Sequence, residues 1–402
     1  MRKVVLVSLD ALYDADLAWL GEDSFMGGLL RDSAVSTRVK TIFPALTYPT
    51  HVTMVTGENP AAHGIGHNRP YQPGVEPRLC RWYWEAEHIR VPTLFDAVKK
   101  AGGRSAAIFW PVTGKSRAIR WNLPEVIALP GENQVTKILS YGSGAWIVTA
   151  GLKYFMKMKD FHEPAVSDLG CNMACEVIRR HQPDFTALHF VDLDEMRHKH
   201  GAHSEEAKEA LKRLDERVRR IWETMQTTRG MEDALLVVVS DHGQADVDKP
   251  VFLTEALEKA GVKAGVQSCG MSAYIYTEDP DAAGVLAGIE GVAHVYDRGE
   301  LDKLGCPSNV SLAVEAAPGV VFADGMPQAL HEKATHGYGP GHEAENCLFA
   351  VHGKGIEHGV LPEMAMKDMA PTIAGLMGIP FPAAGRSVAS LVMGRKSGES
   401  VQ

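Results

Sequence analysis

The sequence predicts an α/β protein: a mostly parallel central sheet covered by helices on both faces, with a small α+β cap inserted in it. Three observations carry this. Short β-branched runs alternate with helical patterns along most of the chain, as in parallel strands joined by crossover helices. The chain has 402 residues, more than one core usually serves, which calls for a second unit. Residues 250–330 change rhythm, with short strand and helix patterns in quick succession.

Taken in order, Val4–Leu9 is a continuous apolar run, a strand buried on both faces, and it ends at Asp10. Thr50–Thr56 reads as a helix with Pro49 near its first turn. Pro92 and Thr93 start another helix, and Gly102-Gly103 stops it. Ser105–Phe109 is a second strand. Residues 112–165 carry several aromatics and little periodicity, and read as an outer layer or second lid. Ser167–Arg180 is a helix, Phe185–Phe190 a strand, Glu205–Thr224 a long helix charged on one side, and Leu235–Val239 a strand. The cap holds Ala273–Tyr276, Asp281–Ala287 and Ala293–Tyr296. Cys347–Val351 and the helix Asp368–Met377 close the core. The expected division is a core of 1–249 and 331–402 with a cap of 250–330.

Composition narrows the function. The chain is 45% hydrophobic and 23% charged, ordinary for a soluble globular protein. A net charge of −9 disfavours duplex nucleic acid as a partner, while a local site can still take a small phosphate. The apolar stretches are strand-sized, too short to cross a membrane. Met1-Arg2-Lys3 runs straight into the first strand without a signal peptide pattern, so the expected location is cytoplasmic. Six scattered cysteines do not form a disulfide framework. Nothing in the pattern sets an oligomeric state.

The chemistry lies where the strands end. In an open parallel sheet, ligands bind beyond the carboxyl ends of the strands. Asp10 ends the first strand, Asp241 and His242 follow Leu235–Val239, and Asp194 and His198 follow Phe185–Phe190. Carboxylate and imidazole suit a borderline divalent ion, zinc first and manganese second because oxygen ligands are plentiful. His198 is preferred to His200 because it stands four residues from Asp194, and His336 to His342 because Gly337 follows it. Thr47 stands just before the Thr50–Thr56 helix, whose N-terminus offers unpaired N–H groups to a phosphate. A hydroxyl held by a metal ion becomes a usable nucleophile. Thr50 and Asn68 are candidate substrate contacts. Trp82 and Trp84, on one face if their segment is a strand, are candidates for stacking on a base.

On these residues the chain resembles the alkaline phosphatase superfamily, and within it the type I phosphodiesterase/nucleotide pyrophosphatase branch. Phe43-Pro44-Ala45-Leu46-Thr47-Tyr48-Pro49-Thr50-His51 is similar to that branch's nucleophile segment, and Asp194 through Gly201 to its Asp-x-x-x-His-x-x-Gly segment. Ser240-Asp241-His242-Gly243 and Thr335-His336-Gly337-Tyr338 are similar to its other two metal segments. The resemblance implies an alkaline-phosphatase-like αβα sandwich and two divalent ions, usually zinc. Asp10, Thr47, Asp241 and His242 would hold one ion, and Asp194, His198 and His336 the other. It also implies a phospho-threonine intermediate at Thr47 and a small phosphorylated substrate, possibly a nucleotide. The chain departs from the branch at Thr50, where its diesterases carry Asn, which bears on diester preference. The leading expectation is phosphodiester or nucleotide pyrophosphate hydrolysis. The alternatives are a phosphomonoesterase or phosphonate hydrolase on the same site, or a non-catalytic protein that binds metal and a phosphorylated ligand.

Overall fold

The computed structural model describes residues 1–393 except 22, 157, 159, 160, 326–328 and 330. Its strands, in chain order, are β1 (Val4–Leu9), β2 (Ala34–Lys40), β3 (Ser105–Ile108), β4 (Trp121–Leu123), β5 (Phe185–Phe190), β6 (Leu235–Val239), β7 (Ala245–Val251), β8 (Gly265–Ser268), β9 (Ser272–Tyr276), β10 (Val292–Tyr296), β11 (Leu312–Ala316), β12 (Gly319–Phe322), β13 (Ala334–Thr335), β14 (Asn346–His352), β15 (Gly359–Val360) and β16 (Met364–Ala365). The main sheet runs β15-β2-β14-β6-β1-β5-β3-β4, with β16 also on β2. β4, β3, β5, β1 and β6 are mutually parallel, and β14 runs antiparallel to both β6 and β2.

The central strands are mostly apolar and buried along their length because both faces are covered. In β1, Val5, Val7 and Leu9 pack into one layer with the helices Ala165–His181 and Glu205–Thr227. Val4 and Leu6 pack into the opposite layer with the helices Leu94–Lys100 and Met369–Met377. This is the period-two alternation of a strand feeding two cores. The register pairs Leu9 with Phe190 and Ser8 with Val239, so β1, β5 and β6 end at one level. Asp10, the helix Asp192–His200 and Asp241-His242 therefore emerge at one sheet edge.

The second unit is a four-stranded antiparallel sheet, β10-β11-β9-β8, with its own core around Leu253, Ile275, Leu286 and Val314. A three-stranded sheet, β12-β7-β13, ties it to the main body. β7 leaves three residues after His242 and β13 returns one residue before His336, with Ala334 opposite Asp246. The excursion thus starts and ends on candidate ligands, and the pairing brings His336 back beside His242.

Three features differ from the sequence-based expectation. β2 falls outside the predicted strands, because its polar residues alternate with buried ones and break the apolar run. Residues 112–165 supply β4 and two helices, Gln134–Tyr141 and Gly144–Phe155. The helix expected from Thr50 starts at Thr47, three residues earlier. No described helix is long and apolar enough to cross a membrane.

Candidate active site

Thr47, Asp10, Asp241 and His242 meet at one point. His242 Nε2 lies 3.1 Å from Asp241 Oδ2, 3.5 Å from Asp10 Oδ1 and 3.4 Å from Thr47 Oγ1. Thr47 is half-buried, while the other three are buried. Asp10 Oδ1 and Asp241 Oδ2 have no hydrogen-bond partner. Buried carboxylate oxygens without donors are costly, which marks a place that a cation completes. Burial, then the charge of Asp194, pushes Asp10 up to about 7. Burial, then Asp10, raises Asp241 well above the usual carboxylate range. Burial holds His242 low, so its imidazole is neutral and offers a lone pair.

The second cluster adjoins the first. Asp194 and His198 lie one turn apart on the helix Asp192–His200, so they share a face. His198 Nε2 is 3.4 Å and His336 Nε2 4.0 Å from Asp194 Oδ1, which also accepts from Gln244 Nε2. The ligand atoms of Asp194, His242 and His336 lie within 4.8 Å of one another, as do those of Asp10, Asp241 and His242. His242 is common to both groups. Its ring stacks on that of His336 with centroids 3.9 Å apart.

Each imidazole is aimed by its other nitrogen. Nδ1 of His198 lies 2.9 Å from the Ala334 carbonyl, that of His336 2.8 Å from Ala45, and that of His242 3.2 Å from Gly243. Carbonyls only accept, so each Nδ1 carries a proton and each Nε2 faces the cluster, with a lone pair on His242 and His336, while His198, against the pull of burial, is held well above the usual imidazole range by the charge of Asp194. The donor set and the orphaned oxygens therefore fit two divalent cations. Gly337, next to His336, has φ +87°, and a Cβ there would come within 1.6 Å of the Cys269 carbonyl oxygen. Only glycine lets the chain turn under the 268–272 segment at that point.

A cavity of about 270 Å³ opens beside the clusters, with Thr47, Asn68, Arg69, Trp82 and Glu125 on its wall. Asn68 Oδ1 accepts the Tyr48 N–H at 2.9 Å, which leaves the amide NH₂ for a ligand. Thr50, expected at the substrate, does not line this cavity. It is fully buried, and its hydroxyl donates to the carbonyls of Leu46 at 2.9 Å and Thr47 at 2.7 Å. The early helix start puts it one turn inside, facing the core. His200 is exposed, and His342 stacks on Tyr338 with its Nδ1 accepting from Ala344 N–H, so neither joins the clusters. Trp82 and Trp84 do not share a face, since residues 81–84 form no strand. Trp82 lines the cavity, and Trp84 is in the core. Sequence reasoning misses His189, which links Asp10 to Glu125, and Gln244 and Glu332, which flank the second cluster. A histidine inside an otherwise apolar strand is the available signal for the first.

A mixed, mostly parallel αβα sandwich with this paired carboxylate–imidazole site belongs to the alkaline phosphatase superfamily. More narrowly, the chain is a member of the type I phosphodiesterase/nucleotide pyrophosphatase family, whose model matches residues 4–333. Human ectonucleotide pyrophosphatase/phosphodiesterase family member 1 is 22% identical over 264 residues, 63% of this chain and 25% of that protein. Human family member 7 is 24% identical over 263 residues, 62% of this chain and 49% of that protein. The chain thus matches between a quarter and a half of the length of these relatives. The structure of murine ectonucleotide pyrophosphatase/phosphodiesterase 5 superposes with a TM-score of 0.70 at 17% identity, covering 96% of this chain and 97% of that one. The human protein superposes at 0.71, also 17% identical, covering 98% and 100%. Likeness at that identity establishes the fold. An inactive variant of the murine protein was solved in complex with AMP, at a TM-score of 0.69.

Proposed function

We propose that this protein hydrolyses phosphodiester or nucleotide pyrophosphate bonds through Thr47. The observation that carries the reading is the position of the Thr47 hydroxyl, 3.4 Å from Nε2 of His242, the residue common to both ligand groups. Asp10, Thr47, Asp241 and His242 would hold one divalent ion and Asp194, His198 and His336 the other, with zinc favoured over manganese by the imidazole content. Such ions, when bound, neutralise phosphoryl charge and lower the pKa of a hydroxyl to working range. Thr47 Oγ1 attacks phosphorus, the bond from phosphorus to the leaving oxygen breaks, and water then splits the phospho-threonine and restores the hydroxyl. The free amide of Asn68 donates to a phosphate oxygen as charge builds there. Trp82, packed edge-on to Tyr48 at 5.2 Å, offers an aromatic wall to a base. The AMP bound to the murine relative supports a small nucleotide as substrate.

Two further parts belong to this reading. Residues 250–330 act as the cap over the core of 1–249 and 331–402, supported by the separate sheet and core of that segment. The protein works in a reducing, cytoplasmic setting, supported by six free, buried cysteines.

Turnover of a nitrophenyl diester, a nitrophenyl monoester and phosphonoacetate by zinc-reconstituted protein tests the reading. The diester should be fastest. Chelation should abolish turnover, and about two equivalents of zinc should restore it. Thr47→Ala should fold normally yet lose about a thousandfold or more in kcat, as loss of a nucleophile does. Thr47→Ser should keep part of the rate. Wild-type turnover by Thr47→Ala would rule out the covalent route.

A further inference from the structure

His189 lies next to last in β5, opposite Ser8 of β1, and is fully buried. Its Nε2 is 2.9 Å from Asp10 Oδ2. Its Nδ1 is 3.0 Å from Glu125 Oε2 and 3.3 Å from the Phe109 carbonyl. Phe109 has a left-handed backbone, φ 53°, uncommon for a bulky residue. The ring of His51 packs against the imidazole, with centroids 4.2 Å apart. The imidazole is therefore fixed at both nitrogens and on one face. Among the described residues, His189 is the one side chain that hydrogen-bonds the Asp10 carboxylate, and Asp10 Oδ1 is left without a partner.

We propose that His189, braced by Glu125, is the positioning residue of Asp10: it occupies Oδ2 and so turns Oδ1 alone toward His242 and Thr47. The inference rests on the reading that these clusters hold two divalent ions. A carboxylate on a short side chain rotates about its last bond and can offer either oxygen, or both. A donor fixed on one oxygen removes that freedom and commits the other. The bond sequence Glu125–His189–Asp10 inverts the common pattern, in which a carboxylate orients a ligating histidine. Glu125 is the outer member: its side chain is 20% exposed and lies on the cavity wall. The chain of contacts thus runs from the substrate cavity, through a buried ring, to one ligand of the first cluster only.

The test is a competition titration of zinc against a chelator, resolving two sites, on wild type, His189→Leu, His189→Gln and Glu125→Ala. Cobalt absorption spectra report the geometry, and unfolding of the metal-free proteins reports the fold. In His189→Leu the dissociation constant of one site should rise about 10–100-fold while the other stays within twofold. In His189→Gln the amide NH₂ replaces the donor on Oδ2, so most of the affinity should return. Glu125→Ala keeps the inner bond but frees the ring, and should weaken that same site about threefold or more. If His189→Leu does not fold, Glu125→Ala decides, and wild-type affinity at both sites would overturn the proposal. A folded His189→Leu that binds both ions like wild type would overturn it too, with the two-metal reading intact. Wild-type protein that binds no zinc would overturn both.

Discussion

Asp192 and Asp194 sit two residues apart in the first turn of one helix, yet they are treated in opposite ways. Asp192 is fully buried and receives Arg213 through both oxygens, at 2.8 and 2.7 Å, and Arg217 at 2.6 Å. Asp194 receives one amide, from Gln244, and has imidazoles at 3.4 and 4.0 Å. Both see the same helix dipole, so the backbone does not separate them. The partners do. Guanidinium closes an ion pair with a planar, bidentate fork and leaves nothing to add. An imidazole can give up its proton and leave a lone pair pointing inward, as burial makes His336 and His242 do. The same helix repeats the contrast at its other end, where Arg197 is buried on Asp16 and His198 is turned into the clusters. Closed pairs hold the fold, and carboxylates left among weak partners mark the site.

That contrast is broken most directly by two isosteric changes. Asp192→Asn takes the shared charge from Arg213 and Arg217, leaving Arg217 with Asp168 alone, and should cost about 2–3 kcal/mol in denaturant unfolding. Its zinc content should stay at two. Asp194→Asn removes the carboxylate that holds His198 protonated in the metal-free protein, and the freed imidazole can then lose its proton rather than stay an unpaired charge. Its unfolding free energy should stay within about 1 kcal/mol of wild type, while zinc content falls toward one and turnover falls steeply. Plasma emission for metal and urea unfolding for stability separate the outcomes. Asp194→Asn protein that retains two zinc ions, or Asp192→Asn protein as stable as wild type, would show that the partners do not sort the two carboxylates.

The two kinds of residue also differ in how legible they are in the sequence. β1, β5 and β6 can be read because strands buried on both faces are continuous apolar runs, and Asp10 and Asp241 can be read because they end such runs. Asp194 and His198 are recoverable from helical spacing. The contacts that aim these ligands are not. His189 and Glu125 are 64 residues apart, and Glu125 lies in a stretch without periodicity. The carbonyls of Ala334 and Ala45 that hold His198 and His336 are backbone groups with no sequence mark. Thr50 departs from its expected role for a local reason: the helix begins at Thr47, so a residue expected at its mouth lies one turn inside.

That correction sharpens the comparison at the next level of effect. Asn68 presents a free amide to the cavity, whereas Thr50 spends its hydroxyl on its own helix. Asn68→Ala should lower kcat by about 100–1000-fold, the effect of removing one well-placed donor at a developing oxyanion. KM and zinc content should change little. Thr50→Val should leave the diester-to-monoester ratio unchanged and act only on stability, by about 1 kcal/mol, because a buried hydroxyl bonded to helix carbonyls is lost. A ratio that moves with Thr50→Val, or an Asn68→Ala enzyme with full kcat, would reverse these assignments.

The smallest effect comes from an acid that Asp192 leaves behind. Glu163 is half-buried, accepts the Ser167 N–H at 3.1 Å, and shares the neighbourhood of Arg217 with Asp192. Burial, then the charge of Asp192, pushes its carboxyl up to about 7 from 4.5. The folded-state value lies above the unfolded one, so the native chain holds a proton that the unfolded chain releases between those values. The stabilisation is fully present below about pH 4.5 and is lost as pH rises through about 7. A tenfold change in proton affinity is worth about 1.4 kcal/mol, and access of water to a half-buried group reduces the total to about 1 kcal/mol. Glu163→Gln keeps the acceptor for Ser167 and removes the titration. It should raise unfolding stability by about that amount at pH 8 and leave it nearly unchanged at pH 4.5. Urea midpoints at the two pH values measure this. An equal shift at both would mean that Glu163 is not held protonated in the fold. The paired arginines would then shield a wider neighbourhood than Asp192 alone.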